Sequence, residues 1–147
     1  MYWKQTVALA AALVVSGAGC GGSKPLSRAE FVKRADTVCD RVRNQERSLI
    51  RNAPALMRAQ HLSQAKASTV FRARFIAFEH DRLQELESLV PPVTLQDAFT
   101  QWMDDVRINV NEIARPEKTP TAAEDAKRYA LGVQRERLRT QLGLRRC

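Results

Sequence analysis

The sequence predicts an all-α protein, a four-helix up-down bundle that is preceded by a signal peptide and closed by one disulfide. Apolar residues recur at the three- and four-residue spacing of helices over long segments. Only six Gly and six Pro occur among 147 residues, and most of them cluster, so the chain lacks the frequent turns of a sheet protein. With 44% apolar and 27% charged residues, the composition supports one packed domain.

Residues 1–19 have the layout of a secretory signal peptide. One charged residue, Lys4, precedes the apolar run VALAAALVV, and the small residues SGAG follow that run. The apolar stretch is shorter than the roughly 20 residues that a membrane-spanning helix needs. We therefore expect export of the chain rather than a permanent transmembrane anchor.

Cys20 follows this segment directly and resembles the lipidation site of bacterial lipoproteins. Ala18 and Gly19 match the small residues of the lipobox pattern, and Gly17 stands where that pattern usually has Leu. The resemblance implies cleavage between Gly19 and Cys20, a diacylglyceryl group on the Cys20 sulfur, and a short tether over 20–26. Two acyl chains hold a protein stably at a membrane. The alternative is an ordinary signal peptide whose removal leaves a free cysteine near the new N-terminus.

The chain has three cysteines, and an odd number needs an explanation in an exported protein. Lipidation of Cys20 accounts for one of them and leaves Cys39 and Cys147. Thiols tend to pair in oxidising compartments, so we predict a disulfide between these two. It would close a loop of nearly the whole domain and hold the C-terminal end in place. Two buried thiols or an intermolecular bridge are the alternatives.

Two predicted helices, at about 27–51 and 55–89, make up the first half of a domain that spans 27–147. Pro54 is expected to separate them, because proline disfavours helical geometry at the residue before it. The helical pattern is weak over 61–63, where the second helix could be broken. The residues spaced to form the two apolar faces are Phe31, Ala35, Val38, Val42 and Leu49, then Val70, Phe71, Phe75, Phe78, Leu83, Leu86 and Val90.

Two further helices are predicted at about 94–114 and 121–142, separated by the loop ARPEKTPT. Their apolar faces are expected to consist of Leu95, Phe99, Trp102, Val106, Val110 and Ile113, then Ala126, Tyr129, Ala130, Val133, Leu138 and Leu142. The expected helix-capping pairs and helix stop are Ser27 with Glu30, Thr94 with Asp97, Thr121 with Glu124, and Gly143. In an up-down bundle the first and fourth helices are neighbours, so Cys147 could reach Cys39.

The net charge is +8, and it is unevenly distributed along the chain. Basic residues dominate 24–78 and 113–147, whereas acidic residues dominate 79–112. Such segments usually stay solvated or face each other in a bundle. A functional interpretation is contact with anionic lipid headgroups or a cell-wall polymer, for which the candidates are Lys24, Arg28, Arg43, Arg47 and Arg51. Nucleic acid is not expected as a partner, because the chain is exported and no aromatic residues alternate with the arginines.

The sequence contains no G-x-S-x-G, H-E-x-x-H, Walker or Gly-rich dinucleotide motif, so no catalytic residue is assigned. No C-x-x-C occurs and the two histidines stand apart, so neither a metal nor a cofactor is expected. Glu79, His80 and Asp81 are adjacent on a predicted helix and point in different directions, which does not suit a metal cluster. The aromatic residues Phe71, Phe75, Phe78, Phe99 and Trp102 are expected in the core.

Three stretches, FVKRADTVCDRVRNQ, LVPPVTLQDAFTQW and LGLRRC, resemble a set of small lipoproteins from high-GC actinobacteria. Those proteins combine a lipobox followed by glycines, an F-x-x-x-A-x-x-x-C helix start, a Leu-x-Pro-Pro turn and a C-terminal Cys. The matching residues in this chain are Phe31, Ala35, Cys39, Leu89, Pro91, Pro92 and Cys147. That set of proteins has no assigned activity, so the resemblance implies a location and an architecture only.

We expect a lipoprotein at the extracytoplasmic face of the cell membrane, held there by the lipid on Cys20. The first hypothesis for its function is a non-enzymatic binding or envelope-structural module, whose protein partner the sequence does not identify. The second is an enzyme or enzyme accessory with a site between helices, and the third is binding of a membrane surface through arginine-rich helix faces. A filled apolar core would favour the first, whereas a pocket of converging polar groups with shifted pKa values would favour the second.

Overall fold

The structure, a computed structural model, describes residues 24–115 and 120–147. The predicted signal peptide, Gly19, Cys20 and the middle of the ARPEKTPT loop lie outside these residues. Within the described ranges the chain forms α-helices and one 3-10 turn but no strand, which confirms the all-α prediction. The helices are α1 (Arg28–Ala59), α2 (Gln64–Glu87), α3 (Gln96–Ala114) and α4 (Ala122–Leu142).

Consecutive helices pack side by side, α1 on α2, α2 on α3 and α3 on α4. Arg41 in the first half of α1 meets Glu85 near the end of α2 at 2.5 Å, and the short link 60–63 joins the end of α1 to the start of α2, so these two helices run in opposite directions. Arg128 near the start of α4 meets Glu112 near the end of α3 at 3.1 Å in the same way. Both ion pairs join a basic segment to the acidic segment. Exposed pairs contribute at most about 1 kcal/mol each, so they favour an orientation more than they stabilise the fold.

The hydrophobic core is formed by the inward faces of all four helices and by the C-terminal tail, residues 143–147. Phe31 and Phe99 meet edge to face with ring centroids 5.1 Å apart, and Phe99 stacks on Trp102 at 6.1 Å. Such pairs add about 0.5–1.5 kcal/mol beyond the area that they bury. The other aromatic residues predicted in the core are only half-buried, namely Phe71, Phe75 and Phe78.

The boundary between the first two helices differs from the prediction, because Pro54 does not end α1. The helix continues to Ala59, and α2 begins at Gln64. Proline removes the backbone donor that would bond to the carbonyl four residues earlier, here that of Ile50. Both residues are exposed, so water can solvate that carbonyl. The weak stretch at 61–63 is the actual connection between the two helices.

The predicted caps of α1 and α4 are confirmed, but the predicted cap of α3 is wrong. Ser27 and Thr121 each form a capping box with the glutamate three residues later. Thr94 lies inside a 3-10 turn, Val93–Leu95, and α3 begins at Gln96 without a side-chain cap. The turn is closed by its own backbone hydrogen bond, so Thr94 does not have the position of a cap residue.

The first half of α4 also differs from the prediction. Four residues assigned to its apolar face are exposed, namely Ala126, Tyr129, Ala130 and Val133. The residues that are buried or half-buried along this helix, at helical spacing, are Leu131, Arg135, Leu138 and Leu142. Arg135 interrupts the apolar residues of the inward face. The exposed face therefore shows a more regular apolar pattern in the sequence than the face that is actually buried.

The C-terminal tail folds back onto α1 and is bonded to it covalently. Cys39 and Cys147 form a disulfide across 108 positions of the sequence, with Cα atoms 5.0 Å apart, which confirms the predicted pairing. The backbone N–H groups of Arg145 and Arg146 both donate to the carboxylate of Asp36, at 2.9 and 2.8 Å. One covalent bond and two charge-assisted hydrogen bonds therefore fix the tail against the first third of α1.

Asp36→Ala is expected to lower the free energy of unfolding by about 2 kcal/mol, because a charged acceptor of two hydrogen bonds is lost. Asp40→Ala is the matched control. Asp40 approaches the same tail only through an exposed ion pair with Arg146 at 3.6 Å, so its loss should cost less than about 1 kcal/mol. Urea unfolding of the oxidised proteins measures both values. Equal losses in the two variants would contradict the role given to Asp36.

Two helices end with the same backbone pattern but with different residues in the left-handed position. At the end of α4, Gly143 has φ +80°, as the predicted helix stop requires, and the N–H of Leu144 donates to the carbonyl of Arg139 at 3.1 Å. At the end of α1, His61 has φ +50°, and the N–H of the next residue donates to the carbonyl five residues earlier at 3.0 Å. A side chain with a Cβ atom is strained there, whereas glycine is not.

His61→Gly is expected to raise the free energy of unfolding by about 0.5–1 kcal/mol. The relieved strain of about 1–2 kcal/mol exceeds the extra entropy that glycine brings to the unfolded chain. His61→Ala is the control, because it removes the imidazole but keeps the Cβ atom, and it should leave stability nearly unchanged. Thermal unfolding of the two variants and the parent protein distinguishes these results. A glycine variant less stable than the alanine variant would contradict the strain at this position.

Candidate functional site

All four helices contribute polar or charged side chains to one cavity of about 310 Å³ between them. We call it the interhelical cavity. The polar residues that matter for its chemistry are Glu46 of α1, Glu79 and Arg82 of α2, Trp102 and Asn109 of α3, and Arg135 of α4. The disulfide-bonded Cys147 also borders it, so the tail forms part of the wall.

Helical periodicity directs several of these charges into the interior. On three helices a charged residue occupies a position three or four residues from apolar residues that face inward. The sets are Val42, Glu46 and Leu49 on α1, Phe75, Glu79 and Leu83 on α2, and Leu131, Arg135 and Leu138 on α4. Residues at this spacing share one helix face, so packing of the apolar neighbours carries the charged side chain inward with them.

Glu79 is the most deeply buried charged residue of the interhelical cavity, with 4% of its surface exposed. Burial raises the pKa of its carboxyl to about 7, against the opposing charge of Arg82. A hydrogen bond with the carboxyl of Glu46 and the charge of Glu46 also contribute to this rise of the pKa. Arg82 also donates a hydrogen bond to Glu79 from its terminal nitrogen. Two carboxyls and one guanidinium from adjacent helices thus form a coupled group.

Three buried polar atoms of this cavity have no hydrogen-bond partner among residues 24–115 and 120–147. They are Oε1 of Glu46, Nε of Arg82 and the indole nitrogen Nε1 of Trp102. Native proteins leave few buried polar groups unpaired, because each one costs about 1–3 kcal/mol. Each of these atoms is enclosed by protein atoms, so the surface that the cavity offers to a ligand is formed by other atoms of its lining residues.

A surface groove of about 690 Å³ between α3 and α4 adjoins the interhelical cavity. The groove and the cavity share Asn109, Ile113 and Arg135 in their linings. Asp105 lines the groove with only 6% of its surface exposed, and burial raises its pKa while the charge of Arg135 opposes that rise. The shared residues indicate a route from the surface to the cavity along α3 and α4.

The other arginine of this region, Arg139, is engaged in structural hydrogen bonds. It donates to both carboxylate oxygens of Glu136, at 2.8 and 2.5 Å, and to the backbone carbonyl of Leu144 at 2.8 Å. These bonds attach the C-terminal tail to α4, whereas the disulfide attaches it to α1. Arg139 therefore holds the wall of the cavity and is less available to a ligand.

The five basic residues proposed to contact anionic partners do not form one patch. Arg28 and Arg43 donate to backbone carbonyls of the last turn of α4 and of the tail, at 3.1 and 2.5 Å. Lys24, Arg47 and Arg51 are exposed. At 1.5 Å per residue, Arg51 lies about 35 Å further along α1 than Arg28. Contact of Arg47 and Arg51 with a lipid or polymer surface stays a hypothesis. These two residues are too far from Lys24 and Arg28, which lie next to the tether, to belong to the same contact surface.

The sequence did not identify the interhelical cavity. Trp102 was expected in the core and is buried there, but its indole nitrogen has no hydrogen-bond partner among the described residues, which the sequence does not reveal. The sequence does contain a pattern that indicates the cavity. On α1, α2 and α4, one charged residue interrupts the apolar residues that face the interior, namely Glu46, Glu79 and Arg135. His80 is exposed, as expected for an ordinary surface residue. Within the described part of the chain, no group of three or more His, Cys, Asp and Glu side chains is arranged to hold a metal.

Comparison with known proteins identifies no counterpart, because no family model, curated protein or solved structure matches the chain significantly. Among the helices that the structure describes, none combines the length and the apolar character needed to cross a bilayer. The functional conclusion therefore rests on the fold and on the chemistry of the interhelical cavity.

Proposed function

We propose that the protein is a binding module for a small polar solute, held at the outer face of a membrane by lipid on Cys20, and that its site is the interhelical cavity. One observation carries the proposal: charged and polar side chains from all four helices line one cavity of about 310 Å³, and among them the carboxyls of Glu46 and Glu79 lie beside the guanidinium of Arg82. A purely structural module has no need of such groups, which destabilise a bundle unless a bound molecule pairs with them.

The size and the lining of the cavity support the same function. Ligand sites typically occupy about 300–1,000 Å³ and combine apolar walls with a few placed polar groups, so a cavity of about 310 Å³ suits a small solute. The apolar part of the wall comes from Phe75, Trp102, Val106 and Ile113. Since these residues belong to packed helices rather than loops, the site is formed before the ligand arrives and loses little entropy on binding.

The indole N–H of Trp102 is the natural reporter of binding. The chain has two tryptophans, and Trp3 belongs to the segment that we propose is removed, so the lipidated protein in detergent micelles should give one indole signal in a ¹H–¹⁵N spectrum. We expect a saturable shift of this signal with at least one member of a panel of amino acids, sugars, short carboxylates and amines. A panel that leaves the signal in place while the protein stays folded would contradict the proposed binding function.

Membrane attachment through Cys20 is supported by the lipobox-like segment and by the short tether. Only six residues separate Cys20 from Ser27, a reach of at most about 20 Å. The N–H of Leu26 donates to the carbonyl of Val90 at 2.9 Å, so the chain enters the bundle beside the link between α2 and α3. The intact exported protein should have the mass of a diacylated chain that begins at Cys20. Equal membrane retention of a Cys20→Ala protein would contradict this attachment.

A second candidate function, catalysis in the same cavity, is favoured by Glu79. A buried carboxyl with a pKa of about 7 beside a second carboxyl suits a general acid or base at neutral pH. If the protein is a binding module without turnover, a bound solute should be recovered unchanged after prolonged incubation, as judged by mass spectrometry. Conversion of the solute by the parent protein, and its loss in a Glu79→Gln variant that still binds, would establish the enzymatic function instead.

A further inference from the structure

We infer that the far end of the α1–α2 pair is a docking surface for a linear polymer that carries phosphate groups. Residues 47–78, which we call the basic hairpin, comprise the end of α1, the link 60–63 and the first part of α2. Arg58 lies about 45 Å along α1 from Arg28, so this surface is at the end of the bundle opposite the N-terminal tether. The inference goes beyond the proposed function and does not depend on the interhelical cavity.

The basic hairpin carries charge of one sign only. It contains six basic residues and no acidic one, and Glu46 and Glu79 border it directly on either side. Between 50 and 78 only Ala67 is buried, so this part of the pair extends beyond the core. Like charges on adjacent helical turns repel each other and destabilise a helix, so folding gives no reason for this composition. A positive surface of this kind attracts an anionic partner.

Five of the six basic side chains are available to such a partner, because they are exposed and form no ion pair with a described residue. They are Arg47, Arg51, Arg58, Lys66 and Arg74. The arginines that join neighbouring helices elsewhere in the bundle are already paired with carboxylates. An anion that binds to the basic hairpin therefore replaces water and breaks no ion pair of the protein.

Three of these arginines form a line along α1. Arg47, Arg51 and Arg58 lie within about 40° of one another around the helix axis and extend over about 16 Å along it. A single phosphate ion reaches one of them, whereas a chain of phosphate groups reaches all three. Guanidinium groups bind phosphate through two parallel hydrogen bonds, so a line of arginines suits a phosphate-bearing chain.

The placement of the basic residues favours a flexible chain over a membrane surface. Leu49 and Leu56 line the groove between α1 and α2. Each of them lies two residues from an arginine of the line, which is about 200° around the helix, so the line faces away from that groove. Arg74 lines the same groove from α2. Basic residues therefore occupy two sides of the hairpin, and a flat bilayer contacts only one side at a time.

The basic hairpin also lacks the apolar surface that other partners use. Within 47–78, all of which the structure describes, Ile50 is the one large apolar side chain that is exposed. Helices that bind membranes insert apolar side chains, and protein interfaces have apolar and aromatic centres. Phe71, Phe75 and Phe78 are half-buried, so they present no open ring on which a nucleic-acid base could stack. Contact with phosphate groups is the interaction that this surface supports.

The test measures binding of long-chain polyphosphate to the exported protein in nonionic detergent micelles. The triple variant Arg47→Gln, Arg51→Gln and Arg58→Gln should bind roughly tenfold more weakly than the parent at about 0.1 M salt. The slope of log affinity against log salt concentration should also fall in magnitude by about 2, since each phosphate contact on a single chain contributes about 0.7.

A second triple variant is the matched control, because it removes the same charge from exposed arginines outside the basic hairpin. Its changes are Arg34→Gln, Arg137→Gln and Arg145→Gln. It should keep the parent's salt slope and bind within about threefold of the parent. Circular dichroism verifies that both variants fold.

The parent protein gives a measurement that does not depend on any variant. The backbone amide signals that shift when polyphosphate is added should belong to residues 47–78, and shifts confined to other residues would overturn the inference. Tripolyphosphate at the same concentration of phosphate groups should bind at least about tenfold more weakly, because it is too short to reach all three arginines of the line.

Three further results would overturn the inference. Equal losses of affinity in the two triple variants would mean that only the net charge of the protein matters. Poly-L-glutamate binding as tightly as polyphosphate would remove the preference for phosphate. Mixed micelles with phosphatidylglycerol that shift the same amide signals as strongly as polyphosphate would assign the hairpin to a lipid surface. None of these results bears on the interhelical cavity, so the proposed function stands or falls separately.

Discussion

Replacement of both Cys39 and Cys147 by serine is expected to lower the free energy of unfolding by about 3–5 kcal/mol. The disulfide closes a loop of 108 positions, and cross-linking a loop of that length removes conformational entropy of the unfolded chain worth about 4–5 kcal/mol. The tail would keep only noncovalent links to the helices, among them its hydrogen bonds with Asp36, Arg43 and Arg139. Such a loss is a large fraction of the 5–15 kcal/mol that typically stabilises a domain.

Urea unfolding with and without reductant measures this effect. Reductant should destabilise the parent protein by about the same 3–5 kcal/mol and should not change the double serine variant, which serves as the matched control. A loss below about 1 kcal/mol on reduction would contradict the closing role of the disulfide.

The second large effect is a fall in stability as the pH rises through the range in which Glu79 loses its proton. Burial raises the pKa of this carboxyl from 4.5 to about 7 in the folded protein. Between these values the folded state holds a proton that the unfolded state has released, so stability decreases with rising pH. The contribution is complete below pH 4.5 and lost above pH 7. At about 1.4 kcal/mol per pH unit, the total loss is about 3 kcal/mol.

Glu79→Gln should remove most of this pH dependence. The groups that face Glu79 are Glu46 of α1, Arg82 of its own helix, and the charged residues of α4 across the cavity, Arg135, Glu136 and Arg139. The difference in free energy of unfolding between Glu79→Gln and the parent should therefore shift by about 3 kcal/mol in favour of the variant from pH 5 to pH 8. Glu85→Gln, an exposed control on the same helix, should keep the parent's profile. Parallel profiles for Glu79→Gln and the parent would contradict the raised pKa.

The elements that could be predicted are those determined by local or covalent chemistry. The capping residues Ser27 and Thr121 are correct because a capping box uses side chains within one turn. The pairing of Cys39 with Cys147 follows from the count of cysteines once Cys20 is set aside. The bundle ends also meet as predicted, since Arg28 at the start of α1 donates to a carbonyl at the end of α4.

The elements that could not be predicted depend on tertiary context. Pro54 is tolerated inside α1 because its helix face is exposed, and the sequence does not state which face that is. Tyr129 and Val133 lie on the solvent side of α4 because Arg135 occupies the inward stripe. The cavity escaped detection for the same reason, since charged residues within apolar stripes interrupt the hydrophobic pattern. A search for one such interruption at similar levels of adjacent helices would have located Glu46, Glu79 and Arg135.

The cavity and the disulfide have related consequences for stability. Charged and unpaired polar groups inside the bundle destabilise it, and the raised pKa of Glu79 is one measure of that cost. The disulfide links the two ends of the domain and limits the conformations that the unfolded chain can adopt. It therefore offsets this cost and leaves the cavity open. Because Cys147 also borders the cavity, the same bond keeps the wall of the site in position. A polar cavity can therefore persist between the helices of this small domain.

The most direct test of the central claim is a crystal structure of the protein purified from its native envelope, at a resolution that distinguishes water from a larger molecule. We predict one continuous density in the interhelical cavity, in contact with residues from more than one helix of its lining. Separate water molecules in the cavity, or side chains that pair directly with one another and close it, would contradict a binding site between the helices.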